Sequence, residues 1–116
     1  MNELLIPKDW AECIPHSSAP VDVRDHLNEA HTIRFLDLEL FEHARWSIRY
    51  QMAVVDHRGN YWVTMYQEPA TEMQDGIDPF LFTRMVDDIE CVVFSPAERY
   101  EVSHWRYRPV VDENGF

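Results

Sequence analysis

The stretch from Arg45 to Glu68 constrains the fold more than any other part of the sequence. Between Trp46 and Val54 apolar residues occupy every second position, and the intervening residues are mostly polar, which is typical of a strand with one buried face. A turn-forming run, Asp56-His57-Arg58-Gly59-Asn60, precedes a second stretch, Tyr61 to Glu68, that is rich in aromatic and β-branched residues. We therefore predict a β-hairpin, 45–56 paired with 61–68, at the centre of the fold.

The register of this hairpin depends on its loop. If His57 pairs with Asn60, Val54 lies opposite Val63, and the apolar residues of both strands collect on one face. That buried face would contain seven residues: Trp46, Ile48, Tyr50, Met52, Val54, Val63 and Met65. A shift by one residue would bring Trp62 to this face instead, so the pattern favours the first register.

The opposite face of the hairpin is also unusually apolar. It would carry Ala53, Val55, Trp62 and Tyr66 beside two arginines and a glutamine. Such a surface is too apolar for ordinary contact with water. Either an N-terminal helix covers it, or it is an exposed interaction patch.

The N-terminal part of the chain shows weaker patterns. Residues 1–20 are rich in proline and predict an extended N-terminal arm, which Trp10 and Ile14 would hold against the body. Val21 to Ala30 predicts a short helix capped by Asp22, with three apolar residues on one face. The segment 33–41 is compatible with helix or strand, and the strand is favoured because it would complete a three-stranded meander.

The C-terminal half predicts two further strands. Ile89 to Phe94 is one, ended by Ser95-Pro96; Tyr100 to Arg108 is the other, and 110–116 forms a tail. No internal repeat is evident. We therefore expect a single α+β domain, 1–116, with an antiparallel sheet of four or five strands and one or two short helices on one face.

The net charge limits the classes of partner. The chain has 10 basic and 21 acidic residues, for a net charge of −11. Nucleic acids and anionic membranes bind basic surfaces, so neither is expected as a direct partner. Solubility alone would also explain an acidic surface. The two cysteines, Cys13 and Cys91, form no CxxC pair, and no signal peptide or membrane span is evident, so we expect a cytoplasmic protein with free thiols.

The sequence contains no recognisable catalytic motif. Its six histidines include no pair at the spacing of a helical metal site; His26 and His31, for example, are five positions apart. The serines and cysteines lie in no nucleophile motif, and the three glycines are too far apart to form a phosphate-binding loop. We therefore expect no enzyme activity, no metal and no cofactor.

Acidic residues are concentrated between Glu68 and Glu90. This acidic segment has seven carboxylates and a single basic residue, Arg84; the acids are Glu68, Glu72, Asp75, Asp78, Asp87, Asp88 and Glu90. Clustered carboxylates can imitate the phosphate charges of nucleic acid. The segment is therefore a candidate binding site for a basic partner, with four apolar anchors beside the acids: Trp62, Tyr66, Met73 and Phe80. A plain solvated loop would explain the same composition.

Four short runs carry a resemblance to a known group of proteins. They are Tyr61-Trp62-Val63, Pro69-Ala70-Thr71-Glu72-Met73-Gln74, Ile89-Glu90-Cys91 and Trp105-Arg106-Tyr107-Arg108-Pro109. They lie between residues 61 and 109, and the resemblance, which covers residues 46–109, is to small uncharacterised bacteriophage accessory proteins. The resemblance implies an accessory phage product, many of which bind and inhibit host defence enzymes.

These features favour a non-enzymatic acidic binding protein. The leading hypothesis is an inhibitor of a basic, nucleic-acid-handling host defence protein, of the anti-CRISPR or anti-restriction type, which acts by mimicry of nucleic acid. An immunity or antitoxin-like protein that neutralises a basic toxin would have the same electrostatics. A structural protein that forms a homodimer, an enzyme and a small-ligand-binding domain are the remaining alternatives.

Overall fold

The computed structural model describes residues 2–70, 77–101 and 105–110, which form eight strands and one short helix. In chain order the elements are β1 (Leu4–Pro7), α1 (Lys8–Ala11), β2 (Val21–Arg24), β3 (Ala30–His43), β4 (Ser47–Asp56), β5 (Tyr61–Pro69), β6 (Thr83–Val86), β7 (Ile89–Glu101) and β8 (Trp105–Pro109). Every strand pairing is antiparallel.

The strands form one strongly curled sheet in the order β1-β7-β5-β4-β3-β2. β6 and β8 also pair with β7, so this long strand contacts four neighbours along its length. Two register irregularities in β3, at 35–37 and 40–42, increase the local twist of the sheet. β1 and β2, the two ends of this strand order, approach each other. A hydrogen bond shows this, since the backbone N–H of His26, just after β2, donates to the carbonyl oxygen of Leu5 in β1 at 3.0 Å.

The structure contradicts the α+β expectation. Within the described ranges the only helix is α1, with four residues, and the sheet has eight strands rather than four or five. The helix predicted from Val21 to Ala30 is instead β2, a turn and the start of β3. The period-2 pattern was the relevant one there: Val23 is buried, whereas Leu27, on the supposed apolar face of a helix, is 67% exposed.

The central hairpin is confirmed, but the predicted register was wrong by one residue. Val54 lies opposite Trp62 rather than Val63, because a three-residue loop closed by Asp56 and Asn60 replaces the expected two-residue loop. Gly59 adopts a φ of 85° in this loop, which is typical of a three-residue hairpin connection. The shift brings Trp62 to the inner face.

The core lies inside the curl of the sheet. Its buried members come from both ends of the chain and from the central strands: Leu4, Ile6, Ala11, Ile14, Val23, Ile33, Met52, Val54, Trp62, Phe80, Val92 and Phe94. Of the seven residues predicted to share one face, Met52 and Val54 belong to this core, Val63 packs on the outer face and Trp46 is 59% exposed.

The outer face of the hairpin is covered by the C-terminal strands and not by an N-terminal helix. Ala53, Val63 and Ala97 form a small buried cluster there, against which Tyr61 and Tyr107 pack. The N-terminal arm is not simply extended, since it contains β1 and α1. Of its two predicted anchors, Ile14 is fully buried and Trp10 is 43% exposed.

The C-terminal strands differ in extent from the expectation. Ser95-Pro96 does not end the strand that begins at Ile89; β7 continues to Glu101, with Pro96 opposite Trp62. The predicted strand from Tyr100 to Arg108 is divided between the end of β7 and β8. The meander of β3, β4 and β5 is confirmed. No helix in the described part of the chain is long and apolar enough to cross a membrane.

Candidate functional site

The described acids of the acidic segment occupy two different environments. Asp78 and Glu90 converge on Lys8, whose Nζ lies 2.6 Å from one carboxylate and 3.5 Å from the other. Burial raises the pKa of Asp78, but the hydrogen bonds from Lys8 and from the backbone N–H of Phe80 outweigh this effect and hold the pKa below its usual value. Glu68 lies 3.7 Å from the ring of His16. Lys8 therefore partly neutralises Asp78 and Glu90.

Asp87 and Asp88 are different, because they form the tip of the β6–β7 hairpin. Both are exposed, and their φ angles are 50° and 66°. Two successive positive φ angles define a type I′ turn, which favours Asn-Gly over any other pair. Neither aspartate takes part in an ion pair with another described residue. The hairpin therefore presents two uncompensated charges to solvent.

The predicted apolar anchors are mostly interior residues. Trp62 and Phe80 are buried in the core, and Tyr66 is half-buried, with its ring centroid 5.7 Å from that of Phe80. Burial and the nearby charge of Glu68 raise the pKa of Tyr66. Glu72, Met73 and Asp75 lie outside the described residues. The structure thus places two of the expected anchors, Trp62 and Phe80, in the interior and not at the surface.

Other apolar side chains are exposed beside the Asp-Asp turn. Phe82, Met85 and Ile89 are 53%, 63% and 50% exposed. Ile89 shares a face of the hairpin with Val86, and Met85 lies on the other face opposite Glu90. We call residues 82–90 the acidic hairpin. It combines what a protein-binding surface requires, namely exposed apolar area with charges at its margin.

A second group of polar residues was not found from the sequence. Two loops, β2–β3 and β4–β5, are built on the same pattern, each around a buried aspartate. They lie side by side, since the backbone N–H of Thr32 donates to Nδ1 of His57 at 3.3 Å. We call them the Asp25 turn (residues 25–31) and the Asp56 turn (residues 56–62).

The Asp56 turn is held by its first side chain. Oδ1 of Asp56 accepts hydrogen bonds from the backbone N–H groups of Arg58 at 2.9 Å and Asn60 at 3.0 Å, and Oδ2 accepts from Nε1 of Trp62 at 3.0 Å. The backbone N–H of Gly59 donates to the carbonyl oxygen of Asp56 at 3.1 Å. Burial raises the pKa of Asp56, but these hydrogen bonds outweigh it and hold the pKa below 3.8.

The Asp25 turn repeats this arrangement at each equivalent position. Oδ1 of Asp25 accepts from the backbone N–H groups of Leu27 at 2.8 Å and Glu29 at 2.9 Å, and Oδ2 lies 2.8 Å from Nε2 of His31. Asn28, with a φ of 63°, takes the place of Gly59. Burial raises the pKa of Asp25, and the hydrogen bonds from His31 and the two N–H groups again lower it below its usual value.

The two turns differ in the side chains at their fifth and seventh positions. The Asp56 turn has Asn60 and Trp62 there, whereas the Asp25 turn has Glu29 and His31. One ligand atom from each of Asp25, Glu29 and His31 lies within 4.8 Å of the others. The Asp25 turn therefore gathers three groups that can bind a metal ion, which the Asp56 turn does not.

This cluster borders an open cavity of about 680 Å³ at one end of the curled sheet. The walls are formed by the Asp25 turn, by Arg58 and Trp62 of the Asp56 turn, and by Leu4 and Leu5 of β1. The cavity is accessible from solvent and has both apolar and charged walls. It is large enough to admit a small ligand beside the cluster.

A signal for this site is present in the sequence. Both turns begin with Asp-His and have a residue that tolerates positive φ three positions later, Asn28 in one and Gly59 in the other. The helical spacing assigned to 21–30 concealed this similarity. His31, moreover, lies in the extended strand β3, two positions after Glu29. A search for histidine pairs at helical spacing could therefore not detect this cluster.

The fold defines the protein as a small antiparallel β domain with a nearly closed, strongly curled sheet. The chain matches no protein-family model, and no curated protein or solved structure is significantly similar to it.

Proposed function

We propose that this protein is a non-enzymatic acidic binding protein that engages a basic partner protein through the acidic hairpin. The observation that carries this proposal is the exposure of Phe82, Met85 and Ile89 beside a turn made of Asp87 and Asp88. Exposed apolar side chains supply contact area, and the two aspartates supply charge. Together they suit a partner with an apolar patch inside a basic surface.

The conformation of the turn supports this function. Asparagine and glycine adopt two successive positive φ angles more readily than aspartate does. Two adjacent aspartates also repel each other. The hairpin therefore retains charge at its tip against the conformational preference of its backbone, as expected when the charge itself contributes to binding.

The distribution of ion pairs also supports it. Three arginines form ion pairs on other surfaces: Arg49 with Glu42, Arg106 with Glu39, and Arg108 with Glu98. On the acidic hairpin Arg84 is paired with Glu3, and Lys8 is shared by Asp78 and Glu90. The excess negative charge at the tip of the hairpin is thus not cancelled locally.

The proposed partner is a nucleic-acid-handling protein with a basic groove, such as a host defence enzyme inhibited by a phage product. Such a groove attracts an acidic protein by the same charges that attract phosphates. Each exposed ion pair contributes only about 0.2–1 kcal/mol, so the exposed apolar residues must provide much of the affinity. An immunity-type protein would use the same surface and would differ only in the identity of its basic partner.

The test is capture of basic proteins by matched variants. The immobilised protein is exposed to the heparin-retained fraction of a bacterial extract, with and without excess duplex DNA. Asp87→Asn/Asp88→Gly removes two charges and improves the turn, and Ile89→Ser removes apolar contact. Asp22→Asn/Asp37→Asn, at exposed positions on β2 and β3, is the control that removes the same charge elsewhere.

We expect a protein that wild type and the control retain, that both hairpin variants lose, and that duplex DNA displaces. Purified, this protein should bind wild type more weakly as salt concentration rises. Equal capture by wild type and both hairpin variants would contradict the role of the acidic hairpin, and retention insensitive to duplex DNA would contradict the nucleic-acid-binding groove.

A further inference from the structure

We propose that Asp25, Glu29 and His31 form a binding site for a divalent transition-metal ion of the zinc class, with an open coordination position toward the adjoining cavity. This site lies on the Asp25 turn and is independent of the acidic hairpin. It departs from the expectation, drawn from the spacing of the histidines in the sequence, that the protein binds no metal. The argument rests on geometry, on comparison with the Asp56 turn, and on the state of the His31 ring.

The first observation is geometric. A ring nitrogen of His31 and one carboxylate oxygen from each acid lie within 4.8 Å of one another. Zinc binds nitrogen and oxygen ligands at about 2.0–2.2 Å, so ligands around one ion are separated by less than this distance. The side chain of Glu29 is exposed and forms no hydrogen bond with another described residue, so it is free to close the remaining gap.

The second observation is the difference between the two turns. The Asp56 turn forms the same backbone hydrogen bonds with Asn60 and Trp62 at the positions of Glu29 and His31. The turn therefore does not require a second carboxylate or an imidazole. A metal ion would explain the combination, because it would neutralise two neighbouring carboxylates that otherwise repel each other.

The third observation concerns His31 itself. The residue is only 8% exposed, and its Nδ1 atom is buried without a hydrogen-bond partner among the described residues. A buried histidine of purely structural function usually satisfies both ring nitrogens. His31 departs from that pattern, because its only hydrogen bond to a described side chain is the contact of Nε2 with Asp25. Nε2 is the ring nitrogen beside the carboxylates and is therefore the atom that would bind the metal ion, in place of this contact.

The donor set indicates the class of ion. One imidazole and two carboxylates suit zinc or a similar first-row ion better than magnesium or calcium, which prefer oxygen ligands alone. Three protein ligands leave a fourth position free, as in zinc sites that bind a water molecule or a small ligand. Here that position would face the cavity lined by Arg58 and Trp62.

Zinc binding to the full-length protein provides the test. The dialysed protein is titrated with Zn²⁺ against a chromophoric chelator, and Co²⁺ is added separately to record its visible absorption bands. Glu29→Gln removes one ligand from an exposed side chain without affecting the hydrogen bonds of the turn. Glu29→Asn copies the Asp56 turn at this position. His26→Gln is the control, because His26 lines the same cavity outside the cluster.

We expect wild type and His26→Gln to bind one equivalent of zinc, and both Glu29 variants to bind it at least 10-fold more weakly. The Co²⁺ spectrum should show the intense bands of a low-coordinate site in wild type and lose them in the Glu29 variants. Substoichiometric binding, equal affinity in the Glu29 variants, or loss of binding in His26→Gln would each overturn the proposal. Far-UV circular dichroism confirms that every variant tested retains the fold.

Discussion

The Asp25 turn and the Asp56 turn have the same backbone and different chemistry. In each, a buried aspartate accepts hydrogen bonds from the N–H groups two and four positions later and contacts a side-chain nitrogen six positions later. In one turn that nitrogen belongs to an indole, which can only donate a hydrogen bond. In the other it belongs to an imidazole, which can also accept a proton or bind a metal.

This comparison shows which parts of the motif are structural. The first aspartate and the residue with positive φ are required, because they satisfy the N–H groups of the loop and allow the chain to reverse. The fifth and seventh positions are free to vary. In the Asp56 turn the seventh residue, Trp62, packs in the core, whereas Glu29 and His31 of the Asp25 turn form a candidate site beside a cavity.

The turn of the acidic hairpin provides the contrast. There the aspartates are exposed and hold no loop together within the described chain; Asp87 and Asp88 instead occupy the positions with positive φ themselves. The same residue type therefore stabilises the fold in two turns and contributes charge in the third. Burial of the carboxylate, rather than its presence in a turn, separates these roles.

The largest expected effect tests whether the seventh residue of the Asp56 turn, Trp62, stabilises the core. Trp62→Ala removes a side chain that is only 7% exposed and leaves Asp56 without one of its donors. We expect it to lower the free energy of unfolding by about 3–5 kcal/mol, as other buried large-to-small changes do. Trp46→Ala, at a position 59% exposed, is the control and should change stability by less than about 0.5 kcal/mol. Urea unfolding measures both free energies, and a loss for Trp62→Ala as small as the loss expected for Trp46→Ala would contradict the core position of Trp62.

The next effect tests whether the two turns are equivalent. Asp56→Ala and Asp25→Ala each remove the acceptor of two part-buried backbone N–H groups and the partner of one buried side-chain nitrogen. Each should therefore destabilise the protein by about 1–3 kcal/mol. Asp9→Ala, at an exposed position, serves as the control and should have little effect. The same unfolding measurement applies. If only Asp56→Ala were destabilising, the structural equivalence of the turns would be incorrect.

A third prediction concerns pH. Because the pKa of Asp56 in the folded protein lies below its value of about 3.8 in an unfolded chain, the charged carboxylate stabilises the fold above that pH. This contribution is lost as pH falls through the folded pKa. The difference in unfolding free energy between wild type and Asp56→Asn should therefore shrink as pH is lowered from 6 toward 2. Urea unfolding at several pH values measures this difference, and a difference that stayed constant over this range would argue against the stabilising role of the charged carboxylate.

The smallest effect concerns backbone strain at the exposed turn. Asp88 has a backbone φ of 66°, which glycine adopts with less strain than aspartate. Asp88→Gly should therefore raise the free energy of unfolding by up to about 1 kcal/mol. Gly59→Ala, the opposite change in the Asp56 turn, should lower it by a similar amount, although a Cβ there would meet no atom within 4 Å. Thermal unfolding can compare the two. The free energy of unfolding should rise in Asp88→Gly and fall in Gly59→Ala. A fall in both variants would mean that Asp88 contributes contacts in addition to charge.

Much of the sheet could be predicted from local patterns. The alternation in β4 and the β-branched and aromatic content of β5 identified both strands, and 33–41 and 89–94 were assigned correctly. The candidate metal site could not be predicted in the same way. Its ligands lie on a turn and an extended strand whose geometry follows from a hydrogen-bonded aspartate, and the segment was assigned to a helix.

The sequence alone determined the net charge, the central hairpin and its turn residues, because these depend on composition and on neighbours within a few positions. Tertiary structure decided the rest. Hydrogen bonds to Asp56 set a loop one residue longer than expected, so Trp62 faces the core and not a partner. Pairing of β3 with β4 then placed the Asp25 and Asp56 turns side by side, and curling of the sheet brought β1 next to them. The cavity between them follows from no local pattern, since its walls come from three distant segments of the chain.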